Sequence, residues 1–536
     1  MPLASIHHIL TQRFDTRNIA FKTIDTEISS LEESIHALLA FRNTFTPAYS
    51  LPPEILTRIF HLAQQDQQDY IRSGGPPFKW LVMTQVSKRW RNIALDSPNL
   101  WSSISALYSK RIIKEWLKRS KEAPLDVTVS DQLLQSGDSI STSFPRIRTL
   151  LLNVTSQNWN SFWCNLSSPA PLLESLNIYI STYSQPHPTI SDSTFAGTTP
   201  RLQRLKLHGC SIDVDSSIVN DLTSLELHYP SRKITATDLL TVIRKSPRLV
   251  LLALSNVLQS DDAVASTDFG VITLPSLKSL SIAGESLTHD LDILSHLSFP
   301  SNTTLRLNSK TQTEHAIPAL SNFLTVHKAA RRLGDFSPAA MFSVSLHYKW
   351  NLFDVSIKHK DPKIGDVKLV AFRLIGDWDD SIDKLTDNAR TVALFSTLPL
   401  SSIVSFKTSI GITASGWINI FGSLPKLKKI FAIGDTGVNL LSAIADDFQT
   451  RSQPRSESRL VDWDPIFPVL EDIMLSDMVF PKDTAGIVGA LRGRKEVGKG
   501  IRTLSFRYVR NVNEGILQGC VGRILWHRDD EDDKWD

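Results

Sequence analysis

A short apolar unit returns along most of this chain, and no other feature limits its fold as much. Pro145-x-Ile147-x-x-Leu150-x-Leu152 is followed by Pro171-x-Leu173-x-x-Leu176-x-Ile178 and Pro200-x-Leu202-x-x-Leu205-x-Leu207. Leu222-x-x-Leu225-x-Leu227, Pro247-x-Leu249-x-x-Leu252-x-Leu254, Pro275-x-Leu277-x-x-Leu280-x-Ile282 and a degraded copy at Leu305-x-Leu307 come next. The central leucines 150, 176, 205, 225, 252, 280 and 305 are 26, 29, 20, 27, 28 and 25 residues apart. A spacing of ~20–29 residues marks a stacked array in which each unit supplies one strand. One unit cannot bury its apolar stripe alone, so neighbouring strands must stack in parallel. Intervening segments such as Leu239-Leu240-x-x-Ile243 pack behind them as helices. The predicted class is α/β.

The pattern changes over residues 336–395, where FSVSLHYKW, LFDVSIKH and VKLVAFRLIG alternate with period two and are separated by Asn351, Asp361-Pro362 and Gly376-Asp377. These features predict antiparallel strands forming a β-rich insert that projects from the array. The unit resumes at Ile403-x-x-Phe406, Pro425-x-Leu427-x-x-Ile430, Pro468-x-Leu470-x-x-Ile473-x-Leu475 and Ile501-x-x-Leu504-x-Phe506, with the polar run 449–458 read as a loop. The array is therefore bounded at residues 125–525 and followed by an acidic tail, 526–536.

Before the array come two helical segments. Over 14–45, Phe21, Ile24, Ile28, Leu31, Ile35 and Leu38 alternate steps of three and four residues, a heptad seam. It suits either a helix docked on its own protein or weak self-association through residues 21–38. Next, Pro52-Pro53-Glu54 suits a helix start, with the acid at the positive end of the macrodipole. Ile55, Ile59 and Leu62 form one stripe and Leu56, Phe60 and Ala63 the next, an arc wider than one neighbouring helix covers. The stretch 64–78 ends in Gly74-Gly75-Pro76-Pro77 and reads as an exposed loop. A second helix is expected from Leu81 to the Ser97-Pro98 stop, with Val82, Val86, Trp90 and Ile93 inward.

The strings LPPEILTRIF and VSKRWRNIALDSPNLW resemble the F-box, with Leu-Pro-x-Glu-Ile-Leu, Val-Ser-x-Arg-Trp and Pro-x-Leu-Trp as its marks. The chain is similar to fungal F-box proteins in which a short coiled helix precedes the box, here 48–104, and a leucine-rich-repeat-like body follows. That resemblance implies a helical F-box followed by an irregular leucine-rich-repeat solenoid. It implies the substrate-recognition subunit of an SCF-type cullin-RING ubiquitin ligase, bound through a Skp-type adaptor to a cullin. The alternative is an interaction scaffold with no ubiquitylation role. The adaptor face is expected from Leu51, Pro52, Ile55, Leu56, Ile59, Phe60, Val86 and Trp90.

Composition narrows the alternatives. With 58 Lys plus Arg against 55 Asp plus Glu, a net charge of +3 on 536 residues gives no concentrated field for a phosphate backbone, so nucleic acid is not expected as a partner. Three scattered cysteines, Cys164, Cys210 and Cys520, support neither a disulfide framework nor a zinc site. They fit the cytoplasm or nucleus, and no apolar run is long enough for a membrane span. Gly493-x-x-x-x-Gly498-Lys499 copies P-loop spacing, but Gly500 replaces the magnesium-binding hydroxyl and AGIVGALR before it reads as helix. No nucleophile, base or metal constellation appears, so no catalytic residue, metal or cofactor is expected. What the repeats offer is a surface. With leucines facing the core, Asn177 and Tyr179, Lys206 and His208, and Glu226 and His228 form a row facing a substrate protein.

Overall fold

A computed structural model describes residues 11, 17–72, 78–105, 108–131, 141–155, 159, 164–181, 189–259, 269–300, 303–310, 343–349, 352–361, 365–375, 400, 403–409, 412–451 and 464–527. The acidic run 529–533 and Gly74 to Pro77 lie outside them. The chain divides into two compact units, residues 1–151 with 170–173 and residues 152–169 with 174–536.

The first unit opens with α1 (Arg17–Thr44), followed by α2 (Pro53–Arg72), a 3-10 turn Lys79–Gln85, α3 (Lys88–Leu95) and α4 (Lys110–Arg119). Strand β1 (Ser103–Ile104) pairs in parallel with β2 (Leu125–Ser130), which pairs with β3 (Ile147–Val154). The division of units falls within β3, so Leu125–Ser130 clusters with the N-terminal helices. Two expectations are corrected here. Residues 64–72 are helical rather than loop, because the polar run has no breaker before Gly74 and α2 simply continues. The single helix expected from Leu81 is cut in two: Ser87 is extended and its Oγ accepts the Trp90 N–H at 3.1 Å, an N-cap that starts α3 afresh.

The second unit is a mostly parallel sheet. Its first strands are β4 (Ser175–Ile180), β5 (Arg204–His208), β6 (Ser224–His228), β7 (Leu251–Ser255), β8 (Ser279–Gly284) and β9 (Thr304–Lys310), paired in sequence and in parallel. Leu176, Leu205, Leu225 and Leu252 are register partners, as are Ile178, Leu207, Leu227 and Leu254, and all eight are buried. Helix α5 (Ala236–Arg244), N-capped by Thr235, buries Leu239, Leu240 and Ile243 as the spacing predicts. Further on lie α6 (Leu287–Ser295), α7 (Asp435–Arg451) and α8 (Ala485–Glu496). Helix α7 takes in 449–451, which the sequence assigns to a loop. Gly493 is a buried residue of α8, so no phosphate loop forms there.

The insert does not project. Strands β10 (Ser343–Lys349), β11 (Leu352–Asp361) and β12 (Gly365–Ile375) form an antiparallel meander, as alternation predicts. The meander enters the sheet in reverse, however: β12 pairs in parallel with β9, and β10 with β13 (Ser405–Thr408). A three-stranded meander has parallel outer strands, so it joins a parallel sheet at both sides. Strands β14 (Lys429–Ile433), β15 (Asp472–Ser476), β16 (Thr503–Arg507) and β17 (Arg523–Trp526) continue in parallel.

One backbone device recurs at strand ends. The residue after β5, β6, β7, β14, β15 and β16 (Gly209, Tyr229, Asn256, Gly434, Asp477 and Tyr508) has φ between 47° and 74°. Gly209, Tyr229 and Asn256 donate their N–H to His228 O, Ser255 O and Ala283 O at 3.0, 2.8 and 2.6 Å, each on the next strand. The left-handed residue turns the chain out of the sheet while keeping that ladder bond. For Tyr229 the conformation is costly, and the bond to Ser255 O holds it.

Candidate functional site

In the first unit, Leu56, Phe60, Trp80, Ala94, Leu100, Trp101 and Trp116 form a buried cluster. Trp101 stacks edge-on to Trp116 with centroids 4.8 Å apart, and its Nε1 donates to Ala94 O at 2.8 Å. Gln64 Nε2 donates to Leu100 O at 3.0 Å and Thr57 meets Ser97 at 3.1 Å, which ties α2 to the segment after α3. The Arg89 guanidinium donates to Tyr49 O and, at 2.6 Å, to Leu51 O, and it lies over the Tyr49 ring. A charged fork on α3 therefore fixes the chain entering α2.

This packing sorts the expected adaptor residues. Leu56 and Phe60 are fully buried and hold the domain together, so they present no surface. Leu51, Ile59 and Trp90 are half-buried against the same cluster, with Trp90 5.4 Å from Phe60. Pro52 is exposed, and Ile55 and Val86 are 45% and 53% exposed. Ile55 and Leu62 thus face outward, Ile59 lies at the edge of the core, and Leu56 and Phe60 face inward. Leu62 and Val82, 54% and 60% exposed, were not among the expected residues. A continuous helix would have turned Val82 and Val86 in with Trp90; the Ser87 cap leaves both outside. The Val-Ser-x-Arg pattern, with serine in capping position before a charged helix, was the signal for it.

In the second unit, the pairing brings the expected row together. Asn177, Lys206 and Glu226 are register partners on β4, β5 and β6, as are Tyr179, His208 and His228. Tyr179 is 42% exposed and stacks on His208 with centroids 4.2 Å apart; Tyr229 adds a second ring 5.5 Å from His208. Lys206 Nζ lies 2.6 Å from Glu226 Oε2, and His228 lies 3.4 Å from the same oxygen and 2.9 Å from Ser255 Oγ. The hydrogen bond from His228, then that from Lys206 and its charge, lower the Glu226 carboxyl to about 2 against the opposing effect of burial. Burial, then the charges of His228 and Lys206, lower His208 below the usual histidine range. The surface is an aromatic patch beside the Lys206–Glu226 ion pair. Cys210, just behind it, is buried and its thiol is pushed up to about 12, so it is no nucleophile.

Residues 48–106 match the F-box-like family. The matched range covers α2, the 3-10 turn and α3, the elements that carry the exposed stripe. An F-box-like domain supports reading the chain as an F-box protein and implies binding to a Skp-type adaptor. No curated protein matches the chain.

Proposed function

We propose that this chain is the substrate-recognition subunit of an SCF-type cullin-RING ubiquitin ligase. Its F-box-like domain docks on a Skp-type adaptor, and through it a cullin, while the second unit acts as an irregular leucine-rich-repeat solenoid that captures a substrate protein. The observation that carries this is the F-box-like match over a domain whose apolar Ile55, Leu62, Val82 and Val86 are left in solvent. Apolar side chains grouped in solvent on a folded domain mark a surface for a protein partner. Tyr179, His208 and Tyr229 offer the second unit comparable anchors, of the aromatic type enriched at interfaces. The chain itself catalyses nothing. It raises the local concentration of a substrate lysine near the ubiquitin carrier, in the cytoplasm or nucleus.

The test is co-purification of adaptor with wild type and with the Ile55→Asp and Val86→Asp double variant. Both side chains are about half exposed, so the fold should survive. A charge in each anchor pocket should weaken adaptor binding by about 100-fold or more. Proteins captured by both forms should then persist longer with the variant. Unchanged adaptor binding in a folded variant would refute the docking surface. Loss of adaptor without any change in the lifetime of captured proteins would leave a scaffold without a ubiquitylation role.

A further inference from the structure

Helix α1 runs for 28 residues without one buried side chain. Phe21, Ile28 and Ile35 are 57%, 47% and 56% exposed; Ile24 and Leu38 are 38% and 69% exposed, and Leu31 between them is half-buried. A helix that buries no side chain is marginal in water, and its apolar stripe is what ordinarily stabilises it through packing. In heptad terms the stripe puts Phe21, Ile28 and Ile35 at a, and Ile24, Leu31 and Leu38 at d. Isoleucine at a with leucine at d is the packing preference of a parallel two-stranded coil, and Arg42 at the next a position is too large and charged for the centre of a bigger bundle. We propose that the partner of α1 is a second copy of this chain, joined in a parallel, in-register coiled coil.

The size of the contact agrees with a reversible dimer. Six seam side chains of roughly 100 Å² each would bury about 1,200 Å² over the two helices, the lower end of specific interfaces. The flanks weaken it further. In the parallel register, g-position Glu27 of one copy faces e-position Glu32 of the other, twice per dimer, and like charges there oppose pairing. In an antiparallel pair g faces g and e faces e, so Glu27 would meet Ser34 and Asp25 would meet Glu32 instead. Dimerisation would give the assembly two F-box-like domains and two capture surfaces, and so avidity for a substrate that is itself multivalent.

The test uses the full chain in analytical ultracentrifugation over about 1 to 100 µM. Wild type should show a concentration-dependent monomer–dimer equilibrium. Ile28→Asp with Leu31→Asp should be monomeric throughout, with melting temperature and adaptor binding unchanged because no α1 residue is buried. Glu27→Lys alone should tighten the dimer by roughly threefold or more, by turning Glu–Glu contacts into Lys–Glu. Adding Glu32→Lys should turn those contacts into Lys–Lys and cancel the gain. A wild type monomeric at the highest concentration, or a dimer that persists in the Ile28→Asp and Leu31→Asp variant, would overturn the proposal. Tightening by Glu32→Lys but not by Glu27→Lys would overturn the parallel arrangement.

Discussion

Asp290 should make the second unit lose stability as pH rises from about 4 to about 7. It lies on α6, 3% exposed, and accepts one hydrogen bond, from Ser309 Oγ on β9 at 2.6 Å. Its carboxyl sits on the backbone of Gly284, where an added Cβ would fall 2.2 Å from Oδ2. Burial pushes the acid from 3.8 up to about 7, and the Ser309 bond offsets only part of that. Below pH 3.8 folded and unfolded chains are both protonated. Between 3.8 and about 7 the unfolded chain ionises while the folded one holds its proton, so stability falls with pH and levels off above the folded value. The gap from 3.8 to about 7 is worth about 4 kcal/mol. An asparagine side chain has nearly the same shape, can still accept from Ser309 and carries no charge, so Asp290→Asn should abolish this component. Urea unfolding of wild type and Asp290→Asn, followed from about pH 4 to 8, should give curves that diverge by up to about 4 kcal/mol in favour of the variant at the alkaline end. Taking the difference between the two proteins cancels the other titrating groups. Parallel curves, or a variant less stable than wild type at pH 8, would refute the account of a carboxyl kept neutral by burial.

Two further tests separate fold from recognition. Leu205→Ala removes a fully packed ladder residue, 1% exposed, and should cost ~2–5 kcal/mol by thermal or urea unfolding; Tyr179→Ala with His208→Ala should stay within about 1 kcal/mol yet lose the captured substrate, measured by comparing retained proteins at equal melting temperature. Arg89→Lys cannot reproduce the fork that holds Tyr49 O and Leu51 O, so adaptor binding should weaken by roughly tenfold in a titration while far-UV circular dichroism stays unchanged.

Local periodicity, carried by covalent geometry alone, was enough to place much of this molecule. Period two put Leu205 and Leu207 on one face and Lys206 and His208 on the other, and the recurring short apolar unit put equivalent residues in register, so the row from Tyr179 to His228 was legible in the sequence alone. The start of α2 at Pro53 and the inward stripe of α5 were legible for the same reason. What periodicity cannot carry is which side of an element finds a neighbour. Leu56 and Ile55 are adjacent apolar residues; only the arrival of Trp80, Leu100 and Trp101 from later in the chain buries the first and leaves the second in water. Val82 and Val86 fit an inward helical stripe until Ser87 caps a new helix behind them. The meander 343–375 alternates like any antiparallel insert, and its place between β9 and β13 follows from the parallel edges that its outer strands supply. Asp290 looks like an ordinary helix-surface acid, and it is buried because Gly284 and Ser309, on the strands before and after its helix, close over it. Backbone periodicity is a property of neighbours along the chain, whereas burial is a property of neighbours in space, and the long-range packing that sets the second was settled only by the tertiary structure.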